Sequence, residues 1–139
     1  MPIVIKPRNF HFEVLQSELP VLVDFWGTRC VPCQMLRPVL LEISEELKGR
    51  LKVCMFNTDQ EELESEAEYE EKYRTLMAYG ITSLPTMLLF RGGILRRTLV
   101  GLHSREELME ALEQEGLVPP GPDTAEADEK EEDKNSRGD

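Results

Sequence analysis

Only three cysteines and two histidines occur in 139 residues, too few for a disulfide scaffold and sparse material for a metal centre. The chain also has no long apolar run. No stretch is long enough to span a bilayer, and the N-terminus MPIVIKPRNFHF lacks the uninterrupted apolar region of a secretory signal. A cytoplasmic location is the expectation. Positive charge is scarce as well: 16 Lys and Arg stand against 27 Asp and Glu, a formal net charge of −11. Nucleic acid and anionic membrane are therefore not expected as partners.

The acid is unevenly spread. From Val118 onward eight acids face three bases, leaving −5 on that segment and −6 on the rest. After Pro119, Pro120, Gly121 and Pro122 only charged and small residues follow, which cannot bury enough surface to order themselves. The expectation is a folded domain over residues 1–117 and an acidic, disordered tail over 118–139.

Within the domain, hydrophobic periodicity marks alternating elements. Residues 3–5 form a short β run, and residues 10–19 are expected to be helical. PVLVDFWG, residues 20–27, is near-continuously apolar and reads as a strand buried on both faces. Residues 31–48 carry Met35, Leu36, Val39, Leu40, Ile43 and Leu47 at helical spacing, with Pro38 predicting a kink. LKVCMFN is the next strand. A strongly acidic helix is expected from Glu61 to a stop at Gly80, with Leu63, Ala67, Tyr73, Leu76 and Met77 as its apolar face. TMLLF and ILRRTLV flank Arg91-Gly92-Gly93 as a hairpin, and Ser104 with Glu107 forms a capping box opening a last helix to about Glu115. The order β-α-β-α-β-α-β-β-α implies an α/β fold, a central mixed sheet with helices on both faces.

The chemistry concentrates in WGTRCVPCQ. Cys30 falls at a strand-to-helix turn and Cys33 one helical turn on. A thiol at a helix N-terminus faces unpaired N–H groups and the positive end of the dipole, which favour thiolate, and Arg29 adds a positive charge. A thiolate attacks disulfides, and a second thiol at i+3 can resolve the mixed disulfide. Pro32 is tolerated in the first turn, where its missing N–H would be unpaired anyway. Zinc would want four ligands, but only Cys54, His11 and His103 remain, scattered. A purely structural disulfide gains little from so short a loop. Redox chemistry is the reading.

Asp24, inside VLVDFW, is costly to bury. Desolvation should raise its pKa towards neutrality, where it could exchange a proton with a thiol; the alternative is a carboxylate bonded to backbone or reaching water. Pro85 in TSLPT opens a strand and is either a trans edge proline or a cis bond. Cys54, mid-strand, reads as a buried hydrophobe, and His11 and His103 as surface or cap residues.

VLVDFW, CVPCQMLRPVL, FNTDQ, YGITSLPT followed by MLLFRGG, and Val100-Gly101 resemble the thioredoxin family, in order, from Val4 to Leu112. The resemblance implies a thioredoxin-like fold and reduction of protein disulfides. Cys30 would be the attacking thiol, Cys33 the resolving thiol and Asp24 the buried proton acceptor. It also implies a cis Leu84–Pro85 bond facing the pair, and a substrate groove lined by Trp26, Leu84 and Gly101 beside Arg29, Val31 and Pro32. No bound cofactor is implied; electrons would come from a thioredoxin-reductase-like donor, with disulfide-containing proteins as substrates and the chain a monomer. The sequence departs from the pattern in three places. Arg29 and Val31 replace the Trp and Gly of WCGPC, Met55 stands where many relatives have a buried lysine, and the acidic helix is longer. An isomerase or oxidase on the same fold, or a non-catalytic adaptor using the acidic helix, are the alternatives.

Overall fold

The apolar run that follows Pro20 becomes β2 (Val21–Trp26), the middle of a five-stranded sheet ordered β1-β3-β2-β4-β5. The structure is a computed structural model describing residues 1–59 and 63–119; the acidic tail from residue 120 lies outside the described residues. β1 (Ile3–Ile5) and β3 (Lys52–Asn57) run parallel to β2, while β4 (Thr86–Arg91) is antiparallel to it and pairs antiparallel with β5 (Ile94–Val100). Among the described residues three α-helices pack on the sheet: α1 (Val31–Glu46), α2 (Glu66–Ala78) and α3 (Arg105–Gln114). The expected mixed sheet is present, and the order of elements along the chain matches except between β1 and β2.

Side chains alternate across a strand, so β2 divides the interior. Leu22 and Trp26, and Asp24 between them, face the side where Met55, Met87 and Leu89 pack against Leu36, Leu40 and Ile43 of α1 and Leu108 and Leu112 of α3. Val21, Val23 and Phe25 face the other side with Phe56, Phe90, Phe10 and Val14. Aromatic rings dominate that second core: Phe25 and Phe56 lie 4.8 Å apart, and Tyr79 meets Phe90 edge-on at 5.6 Å. Such pairs add roughly 0.5–1.5 kcal/mol each beyond area burial.

Several expectations are corrected. Instead of a helix over 10–19, the chain makes a 3-10 turn (Pro7–Asn9) and one wide π turn (His11–Leu15). The Ser17 hydroxyl accepts from Leu19 N–H at 3.1 Å and donates to Leu19 C=O at 2.9 Å, leading the backbone out of the helix before Pro20. Of the acidic helix expected from Glu61, residues 60–62 lie outside the described residues; α2 begins at Glu66, where Ser65 caps it by accepting from Glu68 N–H at 3.2 Å. Of the apolar face expected, Leu76 packs against the second core, but the fully buried side chains of the helix are others. Glu68 and Lys72 are buried, whereas Tyr73 and Met77 are exposed. Glu68 accepts from Glu64 N–H and Arg8, and Lys72 donates to Thr58 C=O at 2.8 Å. Internal partners as well as hydropathy set which side of α2 turns inward. Leu117 and Val118 both pack into the first core, so Val118 belongs to the packed body although the sequence reading puts it with the tail.

The β4–β5 hairpin turns on Gly92 and Gly93, with φ of 59° and 78°, as a two-residue turn of this hand requires. A Cβ on Gly93 would lie 2.7 Å from the Leu15 carbonyl oxygen, while one on Gly92 would meet nothing within 4 Å. Gly93→Ala is therefore expected to cost about 2–4 kcal/mol, from the left-handed backbone and the clash together, against about 1–2 kcal/mol for Gly92→Ala. Chemical denaturation of the two variants checks this; equal losses would show that the approach of Leu15 is relieved without cost.

Candidate active site

β2 ends at Trp26 and α1 begins at Val31, so the connecting turn brings Cys30 to the N-cap of α1. Its sulfur accepts from Cys33 N–H at 3.1 Å, and Gln34 N–H donates to Cys30 C=O at 3.2 Å. Pro32 occupies the second helical position, where its missing N–H costs nothing. Cys30 and Cys33 are disulfide-bonded, with Cα atoms 5.2 Å apart. Cys33 is buried at 3% exposure while Cys30 is partly exposed, so a disulfide outside the protein meets the Cys30 sulfur. Once the bond is reduced, the Cys33 N–H and the helix dipole favour Cys30 as thiolate.

The turn is tied down from β3. Thr58 N–H donates to Trp26 C=O at 2.8 Å. Asp59 accepts from Thr28 N–H at 2.7 Å and from the Thr28 hydroxyl, bonds that hold its carboxyl below the ordinary range, helped by the charges of Lys72 and Arg29. Lys72 lies behind this loop with the Tyr73 ring 5.1 Å away. Desolvation lowers its pKa, and Asp59 opposes that.

On the other side, a Cβ at Gly27 would approach Leu84 Cδ1 to 3.0 Å; the missing side chain lets Leu84 close over the turn. The Leu84–Pro85 bond is cis, as the resemblance implies, and Gly101 N–H donates to Pro85 C=O at 2.8 Å. Leu84 thus lies against the cysteine turn, and Gly101 is tied to its neighbour Pro85. Arg29, Val31 and Pro32 are exposed around the pair. A cavity of about 270 Å³ beside Cys33 is lined by Trp26, Gly27, Thr28, Gln34 and Arg37.

Asp24 is fully buried and neither carboxylate oxygen has a hydrogen-bond partner among the described residues. Desolvation pushes its pKa up from 3.8 to about 7, and Arg37 pulls the other way. Met55 stands in register opposite it on β3 and Met87 on β4. The positive charge near Asp24 therefore comes from α1. Cys54 is buried, its thiol pushed up to about 12 chiefly by burial, consistent with a packing residue. Sequence reading missed Thr28, Asp59, Lys72 and Arg37. Asp59 lay within the FNTDQ motif, and Arg37 stands four residues after Cys33, on the same helix face.

A cysteine pair whose bond spans the first turn of a helix, one sulfur accessible and the other enclosed, defines a thiol–disulfide oxidoreductase built on this sheet. The family model Thioredoxin matches residues 1–114. The chain is 42% identical over 106 residues to "Thioredoxin" of Rickettsia bellii, covering 76% of this chain and 90% of that one. It is 44% identical to "Thioredoxin" of Rickettsia felis over the same share of both chains, and 40% identical to "Thioredoxin" of Synechocystis sp. over 79% of this chain and 92% of that one. The chain belongs to the thioredoxin family. It is a protein-disulfide reductase working through the Cys30–Cys33 pair; the isomerase, oxidase and adaptor alternatives are not favoured.

Proposed function

We propose the following division of labour within that activity. The Cys30 thiolate attacks one sulfur of a substrate protein's disulfide, bonding to it and expelling the other substrate sulfur as thiolate. Cys33 then gives its proton to the Asp24 carboxylate and attacks Cys30 Sγ. The bond from Cys30 to the substrate breaks, the second substrate thiol leaves, and the Cys30–Cys33 disulfide forms. Two electrons have passed to the substrate. A thioredoxin-reductase-like donor returns them, without a cofactor bound to this chain. Trp26, Leu84, Pro85 and Gly101, with Arg29, Val31 and Pro32 at the rim, form the surface that receives the substrate chain. The chain works as a monomer in the cytoplasm, and its acidity argues against nucleic acid and anionic membrane as partners. Among the described residues no helix is long and apolar enough to cross a membrane.

The observation carrying the role assignment is the unequal exposure of the two sulfurs, Cys33 enclosed and Cys30 at the helix cap. Rapid alkylation of the reduced protein across pH tests it, in wild type and Arg29→Trp. Cys30 should react first in both proteins. Because a guanidinium keeps its charge at any working pH, removing it should raise the Cys30 pKa. It should also make the potential more negative by on the order of 10–20 mV, the screened remnant of about 30 mV per pKa unit. Preferential modification of Cys33 would reverse the assignment, and superimposable curves would assign Arg29 no part in the chemistry.

A further inference from the structure

The buried acceptor poses a problem that the site as described does not solve. Asp24 has no hydrogen-bond partner among the described residues, and it sits between two methionines, Met55 on β3 and Met87 on β4. A carboxylate in such a place is neutral unless a positive charge is near. From α3 the same core receives Leu108, Ala111 and Leu112, none of which titrates. On α1 the remaining titratable or charged groups towards that end are Cys33 and Arg37.

Arg37 is well placed to act. Asp24 and Trp26 are two apart on β2 and share the face covered by α1. The Arg37 guanidinium carbon lies 4.7 Å from the centre of the Trp26 ring, a stacking that fixes a long side chain over that face. Arg37 also lines the cavities on both sides of Trp26. One, of about 270 Å³, reaches Cys33; the other, of about 260 Å³, reaches Met55, the residue opposite Asp24. Among the described residues no carboxylate lies within ion-pairing distance of it, so its charge is not cancelled by a surface acid.

We propose that Arg37 is a positioning residue for the resolving step: held on Trp26 one turn beyond Cys33, it supplies the positive charge that keeps Asp24 a carboxylate able to take the Cys33 proton. It does from α1 what Met55 cannot do from β3. The inference rests on the reading of Asp24 as proton acceptor. The downward pull of Arg37 on the Asp24 pKa agrees with it. In the step itself the Cys33 proton passes to Asp24, the Cys33 sulfur bonds Cys30 Sγ, and the substrate sulfur leaves with the electron pair of the broken bond.

The test uses Arg37→Met, which keeps a stem to pack on Trp26, and Arg37→Lys, which keeps the charge. In each protein the Asp24 carboxyl is titrated by infrared or carbon NMR spectroscopy, and insulin reduction is followed against pH, with Asp24→Asn as reference. Arg37→Met is expected to raise the Asp24 titration by about half a unit and carry the acid limb of the activity with it. Turnover would fall roughly threefold below wild type near pH 6.5 and converge above about pH 9. Arg37→Lys should restore most of the shift. An Asp24 titration unmoved in Arg37→Met overturns the proposal, even where Asp24→Asn still removes the acid limb. An acid limb untouched by Asp24→Asn overturns the underlying reading, and the proposal with it.

Discussion

With Cys33 replaced by serine, a disulfide substrate should become covalently trapped on Cys30. The attacking thiol remains at the helix cap, but nothing is left to displace the substrate from the mixed disulfide. Catalytic reduction should fall by about two orders of magnitude, and non-reducing electrophoresis with mass spectrometry should show one substrate chain bound through Cys30. Cys30→Ser should lose activity at least as completely, yet trap little, since the Cys33 sulfur is enclosed. This contrast follows from burial alone. Equal trapping by the two variants, or undiminished turnover in Cys33→Ser, would mean that the two sulfurs are not distinguished by access.

The second large effect belongs to Asp24. Its pKa rises from 3.8 to about 7 on folding, so the folded protein binds a proton more tightly than the unfolded chain. The associated stability is fully present below about pH 4, falls as pH rises towards 7, and is lost above it. The shift corresponds to about 4 kcal/mol at 1.36 kcal/mol per unit. Asp24→Asn leaves a buried amide in the same apolar place, which takes back roughly half of that gain. Near pH 8 the variant is expected to be about 2 kcal/mol more stable than wild type, and near pH 4, where wild-type Asp24 is already neutral, about 2 kcal/mol less stable. It should also reduce disulfides several-fold more slowly at neutral pH, having no acceptor for the Cys33 proton. Urea unfolding at both pH values, alongside insulin reduction, checks both halves. A stability difference independent of pH would show that the Asp24 carboxylate is satisfied in solution.

Most of the fold was legible because its strands are apolar and its caps are local. VLVDFW reads as a strand buried on both faces, and Val21–Phe25 are all buried; Ser104 and Glu107 read as a capping box and are one. Where periodicity had to decide alone, on α2, it was right for Leu76 and wrong for Tyr73 and Met77. The acidic helix has Leu, Tyr and Met at helical spacing, yet turns Glu68 and Lys72 inward. Their partners, Arg8 and Thr58, lie far away in the chain, and no local pattern announces a long-range hydrogen bond. The cysteine pair and Asp24 stood out because a CxxC at a strand-to-helix turn and an acid inside an apolar strand are each costly or reactive in their own right. Arg37 did not, since one arginine on an exposed helix is ordinary. Its position matters only once α1 lies across Trp26 and the β3 neighbour of Asp24 proves to be methionine.

Catalysed reduction of insulin by dithiothreitol, followed by the turbidity of the released chain, tests the central claim most directly. The wild-type protein at micromolar concentration is expected to accelerate precipitation well beyond dithiothreitol alone. Selective alkylation of Cys30 in the reduced protein should return the rate to the uncatalysed value. A wild-type rate no faster than dithiothreitol alone, or acceleration that survives the alkylation of Cys30, would contradict the account.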